Sequence, residues 1–311
     1  MEMNRRAFVR TLCGTTALSA FAGCSTLENL GTGNSIPEYT DWLYDPSVIN
    51  ESSYGFEYSK PSQFWKYHNE LNDQSLSNLE TTYDDWENGI GIEHVLDINW
   101  KNLDEVLVST PYRFVDGTVI SADFDSENVI DYLQRFAHRQ DGAEWRGLQE
   151  EYNGFEIYYY ESTHPLTIML GEKYIAIGTE NIDQSKKLID TYQGNIDRYQ
   201  DNDSNVHDLI DVLGTGTNVQ GKIDKQNDNY IFENQMGNGT THQINGENTD
   251  IKLLFMFESE SRVPIEDVNS YVKENSNVGD YFGILEDIST SQSGRFAIVQ
   301  AVAKTRDLSV S

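Results

Sequence analysis

The sequence predicts an α+β fold in which antiparallel sheets carry helices on one face. Predicted strands outnumber predicted helices, and the helices fall between groups of strands. Regular β–α alternation would indicate a parallel sheet, so its absence favours antiparallel pairing. With 311 residues the chain is also long enough to bury a sizeable core.

The first predicted elements are strands and one helix. Aromatic residues alternate over Tyr54–Tyr58, as is typical of a short strand. Apolar residues then recur at helical spacing between Phe64 and Tyr83, which predicts a helix. Two further strands are predicted at residues 106–108 and 118–124.

The middle of the chain predicts two helices that each follow a group of strands. Ser126 is the predicted N-cap of a helix that ends at Ala137, and Thr179 is the predicted N-cap of one that ends at Tyr192. Each helix has a single apolar stripe, so both are expected on the same face of one antiparallel sheet. The strands between them are predicted at residues 155–160, 166–170 and 174–177.

Two segments of this middle region resemble each other. Residues 123–131 and 178–183 both combine a strand end, a small cap residue, a Glu-Asn pair and an apolar helix start. The match suggests a duplicated strand-strand-helix unit.

The last third of the chain predicts a helix, a polar stretch and a strand-helix-hairpin segment. The helix over 206–213 is expected to end at Gly214. Residues 214–250 are polar and rich in Asn and Gly, with one predicted strand around Tyr230–Phe232, so they are expected to form a linker or an exposed loop. The elements beyond are a strand at 253–257, a helix opened by Pro264 and a hairpin of strands 282–289 and 296–302.

The N-terminus has the order of an export signal that ends in a lipidation site. Arg5 and Arg6 precede a short, weakly apolar run from Thr11 to Ala22, and the run closes in Phe-Ala-Gly-Cys24. The run is well short of the roughly 20 residues that span a bilayer. Paired arginines followed by a small-small-Cys ending predict a twin-arginine signal and a lipid on Cys24.

The two cysteines support this interpretation. One of them, Cys13, lies inside the predicted signal, so Cys24 alone would remain in the mature chain as a lipid anchor. The expected organisation is a signal peptide at 1–23, a flexible tether at 24–50, an α+β domain at 51–213, the polar stretch at 214–250 and a segment at 251–311 that completes the same domain.

The chain is strongly acidic, with 51 Asp and Glu against 22 Lys and Arg and a net charge of −29. So many negatively charged side chains repel one another in a compact fold unless salt screens the repulsion. The chain also has 18 Tyr, 13 Phe and 5 Trp, which a disordered acidic tail would lack. The charge argues against nucleic-acid binding, because that needs basic residues to neutralise phosphates.

The signal, the lipobox and the acidic composition together resemble those of haloarchaeal surface lipoproteins exported by the twin-arginine route. The resemblance implies an extracellular, lipid-anchored protein adapted to high salt. Haloarchaeal proteins usually favour Arg over Lys, whereas this chain has 11 of each, which leaves an ordinary acidic extracellular protein as the alternative.

No motif in the sequence indicates a catalytic, metal or cofactor site, and none is expected. The six histidines are scattered, and the run Asp201–Asn205 lacks the Gly and Glu of a calcium loop. Tyr158, Tyr159 and Tyr160 cannot form one stacking platform, because neighbouring strand residues point to opposite sides. Three Asn-x-Ser/Thr triplets, at Asn50, Asn202 and Asn238, are expected on the surface as glycosylation sites.

These observations favour a non-catalytic surface lipoprotein that binds an envelope protein, a glycan or a membrane complex. Two alternatives remain at this point. One is a solute-binding lipoprotein of a transporter, and the other is a secreted hydrolase that uses a pair of carboxylates.

Overall fold

The computed structural model describes residues 37–49, 55–84, 96–110, 117–138, 143–162, 165–178, 181–224, 230–277 and 281–308. The predicted signal peptide with Arg5 and Arg6, the lipidation site Cys24 and the triplet at Asn50 lie outside these ranges. Within the described ranges, no helix has the length and apolar character needed to cross a bilayer.

The described residues form two compact units, and the strands of each pair antiparallel. The N-terminal unit comprises Pro37–Trp65 and Glu80–Ser204, and the C-terminal unit comprises Lys66–Leu79 and the described residues from Asn205 onward. The α+β class with antiparallel pairing is therefore confirmed. The described residues of 205–213 and 251–308 belong to the same unit as residues 66–79, and the described residues of 80–204 belong to the other.

The N-terminal unit contains a seven-stranded sheet in the order β1-β2-β3-β7-β6-β5-β4. Its strands are β1 (Gly55–Ser59), β2 (Leu103–Thr110), β3 (Thr118–Ala122), β4 (Glu144–Tyr152), β5 (Phe155–Glu161), β6 (Leu166–Leu170) and β7 (Tyr174–Gly178). Its α-helices are α1 (Pro61–Lys66), the end of α2 (Asp73–Asp84), α3 (Ser126–Ala137), α4 (Ile182–Tyr192) and α5 (Tyr199–Asn202), and its 3-10 helices are Glu38–Trp42, Pro46–Ile49 and Trp100–Asn102.

The expected helix from Phe64 to Tyr83 is two helices, α1 and α2, separated by a turn. The side chain of Asn72 ends the turn by accepting a hydrogen bond from the backbone N–H of Ser75 at 2.8 Å. Asn is favoured at this position because its short side chain replaces a missing intrahelical partner. The apolar spacing continues through the turn, so it does not reveal the break.

The caps of α3 and α4 differ from those predicted. Asp125, not Ser126, accepts the backbone N–H of Asn128 at 3.0 Å. Asn181 caps α4 by accepting the N–H of Gln184 at 3.1 Å, and the predicted Thr179 lies outside the described residues. Asn128 is thus the third residue of α3, whereas Asn181 is the N-cap of α4, so the two asparagines of the similar segments are not in structural register.

The two helices α3 and α4 contact opposite faces of the sheet, which differs from the one-face arrangement expected. Residues Tyr160 and Tyr174 point to opposite faces, as the register through β5, β6 and β7 requires. Phe136 of α3 contacts Tyr160 with ring centroids 5.9 Å apart, and Tyr192 of α4 contacts Tyr174 at 5.2 Å. An apolar stripe shows that a helix packs on a sheet, but it does not determine which face.

The C-terminal unit contains a five-stranded sheet in the order β11-β12-β10-β9-β8. Its strands are β8 (Asn218–Ile223), β9 (Gln235–Asn245), β10 (Asn248–Phe257), β11 (Glu286–Ser293) and β12 (Phe296–Lys304). Its helices are the first part of α2, α6 (Ser204–Leu213) and α7 (Ile265–Glu274), with 3-10 helices at Glu260–Arg262, Tyr281–Ile284 and Thr305–Asp307.

One face of this sheet forms an apolar core with α7. Phe255 and Phe257 of β10 pack with Val268 and Val272 of α7 and with Phe282. The predicted strand at 253–257 and the helix after Pro264 are thus confirmed, and Gly214 ends α6 as predicted, with φ +68°. The predicted strand at 282–289 begins only at Glu286, because Phe282 belongs to a 3-10 helix.

The stretch 214–250 is not a linker, because most of it lies in strands β8, β9 and β10 of this sheet. Strand β9 pairs with β8 on one side and β10 on the other. The glycines of this stretch suggest a loop, but Gly239 is required by packing. A Cβ atom there would lie 2.8 Å from the Leu213 side chain, so the close approach of α6 requires glycine. Tyr230–Phe232 is no strand, and Phe232 instead packs edge-on against Phe255.

Residues 37–49 are packed in the N-terminal unit and do not belong to a tether. Leu43 is fully buried, and Trp42 stacks on Tyr192 with centroids 4.2 Å apart. The burial of such aromatic area stabilises the fold and excludes a mobile segment here. The Tyr- and Pro-rich composition misled the prediction because 3-10 turns lack the period of a helix or strand.

The C-terminal unit is closed by hydrogen bonds between its first and last segments. The Asn72 side chain donates to the carbonyls of Arg306 and Leu308 at 2.6 and 2.8 Å. The Ser75 hydroxyl donates to the Leu308 carbonyl as well. Helix α2 and residues 306–308 are therefore held together although they are far apart in the sequence.

Candidate binding site

Two of the predicted glycosylation sites lie in described residues, and they differ in setting. Asn202 is exposed at the end of α5, where its side chain hydrogen-bonds Asp45. Asn238 is in the middle of β9, paired with Lys222 on one side and Phe255 on the other. The expectation of a surface loop at Asn238 is therefore wrong, because the polar composition belongs to a strand.

The residues considered for metal binding do not converge in the described part of the chain. There, no group of three or more His, Cys, Asp or Glu side chains is arranged to hold a metal ion. The Asp201–Asn205 run forms the junction between α5 and α6, and the Asp201 carboxylate accepts the backbone N–H of Arg198 at 3.3 Å.

The strongest cluster of polar and aromatic side chains lies on the N-terminal sheet, on the face that carries Tyr174. Three strands meet there in register: Glu105 of β2 is paired with Ser121 of β3, which is paired with Tyr174 of β7. We call this group the Glu105 cluster, and its members are Tyr58, Lys60, Glu105, Ser121, Tyr174 and Tyr192.

The carboxylate of Glu105 is the centre of the cluster. Tyr58 donates its hydroxyl to Glu105 Oε1 at 2.6 Å, and Lys60 Nζ lies 3.5 Å from the same oxygen. The Glu105 side chain is 22% exposed and that of Lys60 is 32% exposed, so both side chains are partly open to solvent. Because Tyr58 lies in β1 and Glu105 in β2, the neighbouring strands hold the carboxylate in a fixed position.

Aromatic rings form the other side of the cluster. Tyr174 and Tyr192 hydrogen-bond through their hydroxyl groups, and their ring centroids are 5.2 Å apart. Trp42 contacts both rings from the 3-10 helix that opens the unit. Tyr39, from the same 3-10 helix, packs on Tyr58 with centroids 4.8 Å apart. The hydroxyls are thus mounted on a rigid aromatic base.

Ser121 lies between the two halves of the cluster. Its side chain is almost fully buried, and its hydroxyl has no hydrogen-bond partner among the described residues. A buried hydroxyl without a partner costs free energy, on the order of 1–3 kcal/mol. Proteins usually satisfy such groups, and the exceptions are concentrated where a ligand or water supplies the missing partner.

Burial keeps the phenols of the cluster protonated. It raises the pKa of Tyr174 to about 12, and the nearby Tyr192 and Glu105 add to the rise. Burial also raises the pKa of Tyr58, and the bond to Glu105 raises it further. At neutral pH both groups are therefore hydrogen-bond donors. Shifted pKa values of this kind concentrate at functional sites.

The cluster offers donors and acceptors side by side. Lys60 donates, the Glu105 carboxylate accepts, and the tyrosine and serine hydroxyls can do both. Such a set suits a ligand that carries several hydroxyl groups, whose every oxygen both donates and accepts. It suits a phosphate poorly, because the one ammonium is already beside a carboxylate.

Little in the sequence indicates this cluster. Its residues are spread from Tyr58 to Tyr192, and only strand pairing brings them together. One signal is present: Glu105 directly precedes the predicted strand Val106–Val108, and a carboxylate beside a buried strand needs a partner. The predicted alternation of Tyr158, Tyr159 and Tyr160 is consistent with their register.

Comparisons with known proteins give a likeness of fold only. No protein-family model matches the chain, and no curated protein matches it. Among solved structures, crystal forms III, IV and I of TP0453 are similar, with TM-scores of 0.49, 0.47 and 0.47 and sequence identities of 13%, 12% and 11%. They cover 85%, 86% and 88% of this chain and 95% of each TP0453 chain.

Proposed function

We propose that this protein is a lipid-anchored extracellular binding protein that recognises a glycan through the Glu105 cluster. The signal sequence and Cys24 support the location, and the acidic composition fits an exposed surface in salt. The observation that carries the binding role is the row Glu105–Ser121–Tyr174, in which a buried hydroxyl between a carboxylate and a phenol has no partner among the described residues.

A sugar fits this row for two chemical reasons. Its vicinal hydroxyls satisfy a carboxylate acceptor and neighbouring hydroxyl donors at the same time, which restores the hydrogen bonds that the site lacks. Its C–H faces pack on aromatic rings such as Tyr174 and Tyr192, whose surfaces are apolar. Neither contact relies on long-range charge attraction, which molar salt would screen.

Direct titration tests the proposal. Calorimetry in 2 M KCl would measure binding of glucose, galactose, N-acetylglucosamine and maltose to the full chain. We expect at least one sugar to bind, and Glu105→Gln to weaken that binding about tenfold or more, because an amide places a donor where an acceptor is required. Ser121→Ala should weaken it less.

Glu80→Gln is the matched control. It removes a carboxylate of the same unit that also pairs with a lysine, Lys101, at 3.1 Å, but outside the cluster. Equal weakening by the Glu80 and Glu105 substitutions would contradict the proposal, as would the absence of binding to every sugar. Release of reducing ends from maltose by the parent but not by Glu105→Gln would instead establish the hydrolase alternative.

A further inference from the structure

A second surface lies at the edge of the N-terminal sheet, on the face opposite the Glu105 cluster. Strand β4 is the last strand of this sheet, and two bulges interrupt its pairing with β5, one between Trp145 and Gly147 and the other between Leu148 and Glu150. Bulges of this kind redirect side chains and recur near functional sites.

The first bulge brings Trp145 and Leu148 to one face. Residues three apart in a regular strand point to opposite faces. Here Trp145 is paired with Tyr160 and Leu148 with Tyr158, and these tyrosines share a face. Trp145 stacks on Tyr158 with ring centroids 5.5 Å apart. Leu148 is 49% exposed, and of the two large apolar side chains that are exposed in the described ranges it is the more exposed.

The same face continues into a pair of like charges. Glu151 of β4 is directly opposite Glu156 of β5, and like charges in this position destabilise a strand pair. The Glu156 carboxylate accepts the hydroxyl of Tyr158 at 2.9 Å, and no ion pair involves either carboxylate among the described residues. We call this strip the β4 patch, and its members are Trp145, Leu148, Glu151, Glu156 and Tyr158.

The carboxylates on the other face of β4 are in ion pairs, unlike those of the patch. There Glu150 pairs with Lys186 at 2.7 Å, and Arg146 pairs with Glu144 and Glu161 at 2.9 and 2.5 Å. The chain thus supplies cations to one face of its edge strand and leaves acidic groups beside an exposed leucine on the other.

We propose that the β4 patch docks a basic segment of a protein partner, in which an apolar side chain is flanked by lysine or arginine. The apolar side chain covers Leu148 and the edge of Trp145, and a cation sits between Glu151 and Glu156. Charge complementarity argues for this occupant, because the cation removes the repulsion of the glutamate pair. An aromatic ring beside the carboxylates adds a cation–π attraction.

The main chain of β4 is poorly suited to an added strand. The Gln149 side chain donates to the carbonyls of Arg146 and Gly147, both at 3.0 Å, so these acceptors are taken. Two bulges in nine residues also break the regular ladder that strand addition needs. The partner therefore engages side chains, and this role is independent of the Glu105 cluster.

Fluorescence anisotropy with the labelled peptide Gly-Lys-Gly-Leu-Gly-Lys-Gly tests the proposal on the full chain. We expect saturable binding that weakens when the peptide leucine becomes serine or its lysines become glutamate. Glu151→Gln should weaken binding at least fivefold and raise the melting temperature, because it relieves the like-charge pair. Leu148→Ser should weaken binding and leave the melting temperature unchanged.

Glu150→Gln is the matched control, since it makes the same charge change on the other face of the same strand. An equal loss of affinity in Glu150→Gln and Glu151→Gln would mean attraction by net charge alone and would overturn the proposal. So would binding of the serine peptide as tightly as the leucine peptide. Dimerisation of the parent that Leu148→Ser abolishes, or maltose binding lost in that variant, would assign the patch to another occupant.

Discussion

At the scale of single residues, Lys252 places a charge inside the C-terminal unit. Its ammonium donates to the carbonyls of Val212 and Leu213 at 2.6 and 3.3 Å, at the end of α6. These carbonyls lack intrahelical partners and carry the negative end of the helix dipole, so a cation is favourable there. Burial opposes the charge and lowers the pKa of Lys252 to about 8.

The lowered pKa predicts a stability effect in the alkaline range. Between pH 8 and the ordinary lysine pKa of 10.5, the unfolded chain binds the proton that the folded chain has released, so stability gains as pH rises. Relative to Lys252→Met, the parent should therefore gain up to about 3 kcal/mol of unfolding free energy across this window. Urea denaturation at pH 7.5 and pH 10 would measure the gain.

Lys222→Met is the control for this comparison, because Lys222 is a half-exposed lysine of the neighbouring sheet region. If the difference between the parent and Lys252→Met is the same at both pH values, the buried amine does not titrate in this window and the prediction fails.

His242 predicts a loss of stability in acid. It is buried in β9, and its Nε2 atom has no hydrogen-bond partner within the residues that the structure describes. Burial lowers its pKa to about 4. Between pH 6.5 and 4 the unfolded chain binds a proton that the folded chain does not bind. The free energy of unfolding therefore decreases as the pH is lowered through this range, by up to about 3 kcal/mol.

His242→Gln should flatten this part of the pH profile, because glutamine keeps a polar side chain and does not titrate. Melting temperatures of both proteins at pH 7, 5.5 and 4.5 would measure it. Parallel profiles would show that other groups cause the acid loss.

At the scale of elements, the packing of α6 on β9 depends on the absence of one side chain. A Cβ atom at Gly239 would lie 2.8 Å from the Gln220 carbonyl and 2.8 Å from the Leu213 side chain. Gly239→Ala should therefore destabilise the C-terminal unit by about 1–3 kcal/mol, as overpacking does. Urea denaturation of the variant would measure the loss.

A double-mutant cycle with Leu213→Ala separates the two contacts. Shortening Leu213 removes the side-chain clash and leaves the clash with the backbone. The loss of stability in the double mutant should therefore be smaller than the sum of the losses in the two single mutants. Strict additivity would mean that α6 does not approach β9 at this point.

The elements also show how far the sequence predicts the fold. Helices with clear periods, such as α3 and α6, are placed correctly, because one apolar face is visible in the pattern. Strand β10 begins at Asn248, five residues before its predicted start at residue 253. Strands β8 and β9 are missed, because their small and polar residues are set by close packing with neighbours. The Glu105 cluster is missed for a related reason: strand pairing assembles it, and no local pattern records that pairing.

At the scale of the whole molecule, the charge of −29 predicts dependence on salt. The screening length grows from about 3 Å at 1 M salt to about 10 Å at 0.1 M, so repulsion among surface carboxylates rises as salt is removed. The melting temperature should therefore increase along a series from 0.1 to 3 M KCl, as followed by circular dichroism. A flat or falling series would contradict adaptation to high salt.

The proposed anchor predicts where the protein is found in the cell. Cys24→Ser removes the thiol that would carry the lipid, so the variant should appear in the medium or accumulate as unprocessed precursor. Fractionation followed by immunoblotting distinguishes these products from the membrane-bound parent. A serine variant that is processed and remains in the membrane fraction would exclude Cys24 as the anchor.

The hydrogen bonds from Asn72 and Ser75 to the carbonyls of Arg306 and Leu308 have a consequence for synthesis. Ser75 and Leu308 are 233 positions apart in the sequence, so α2 leaves the ribosome long before Leu308 is synthesised. A nascent or truncated chain cannot complete the C-terminal unit. The unit is therefore completed only after Leu308 has been synthesised, and a stop codon before Leu308 should yield a product that proteases remove.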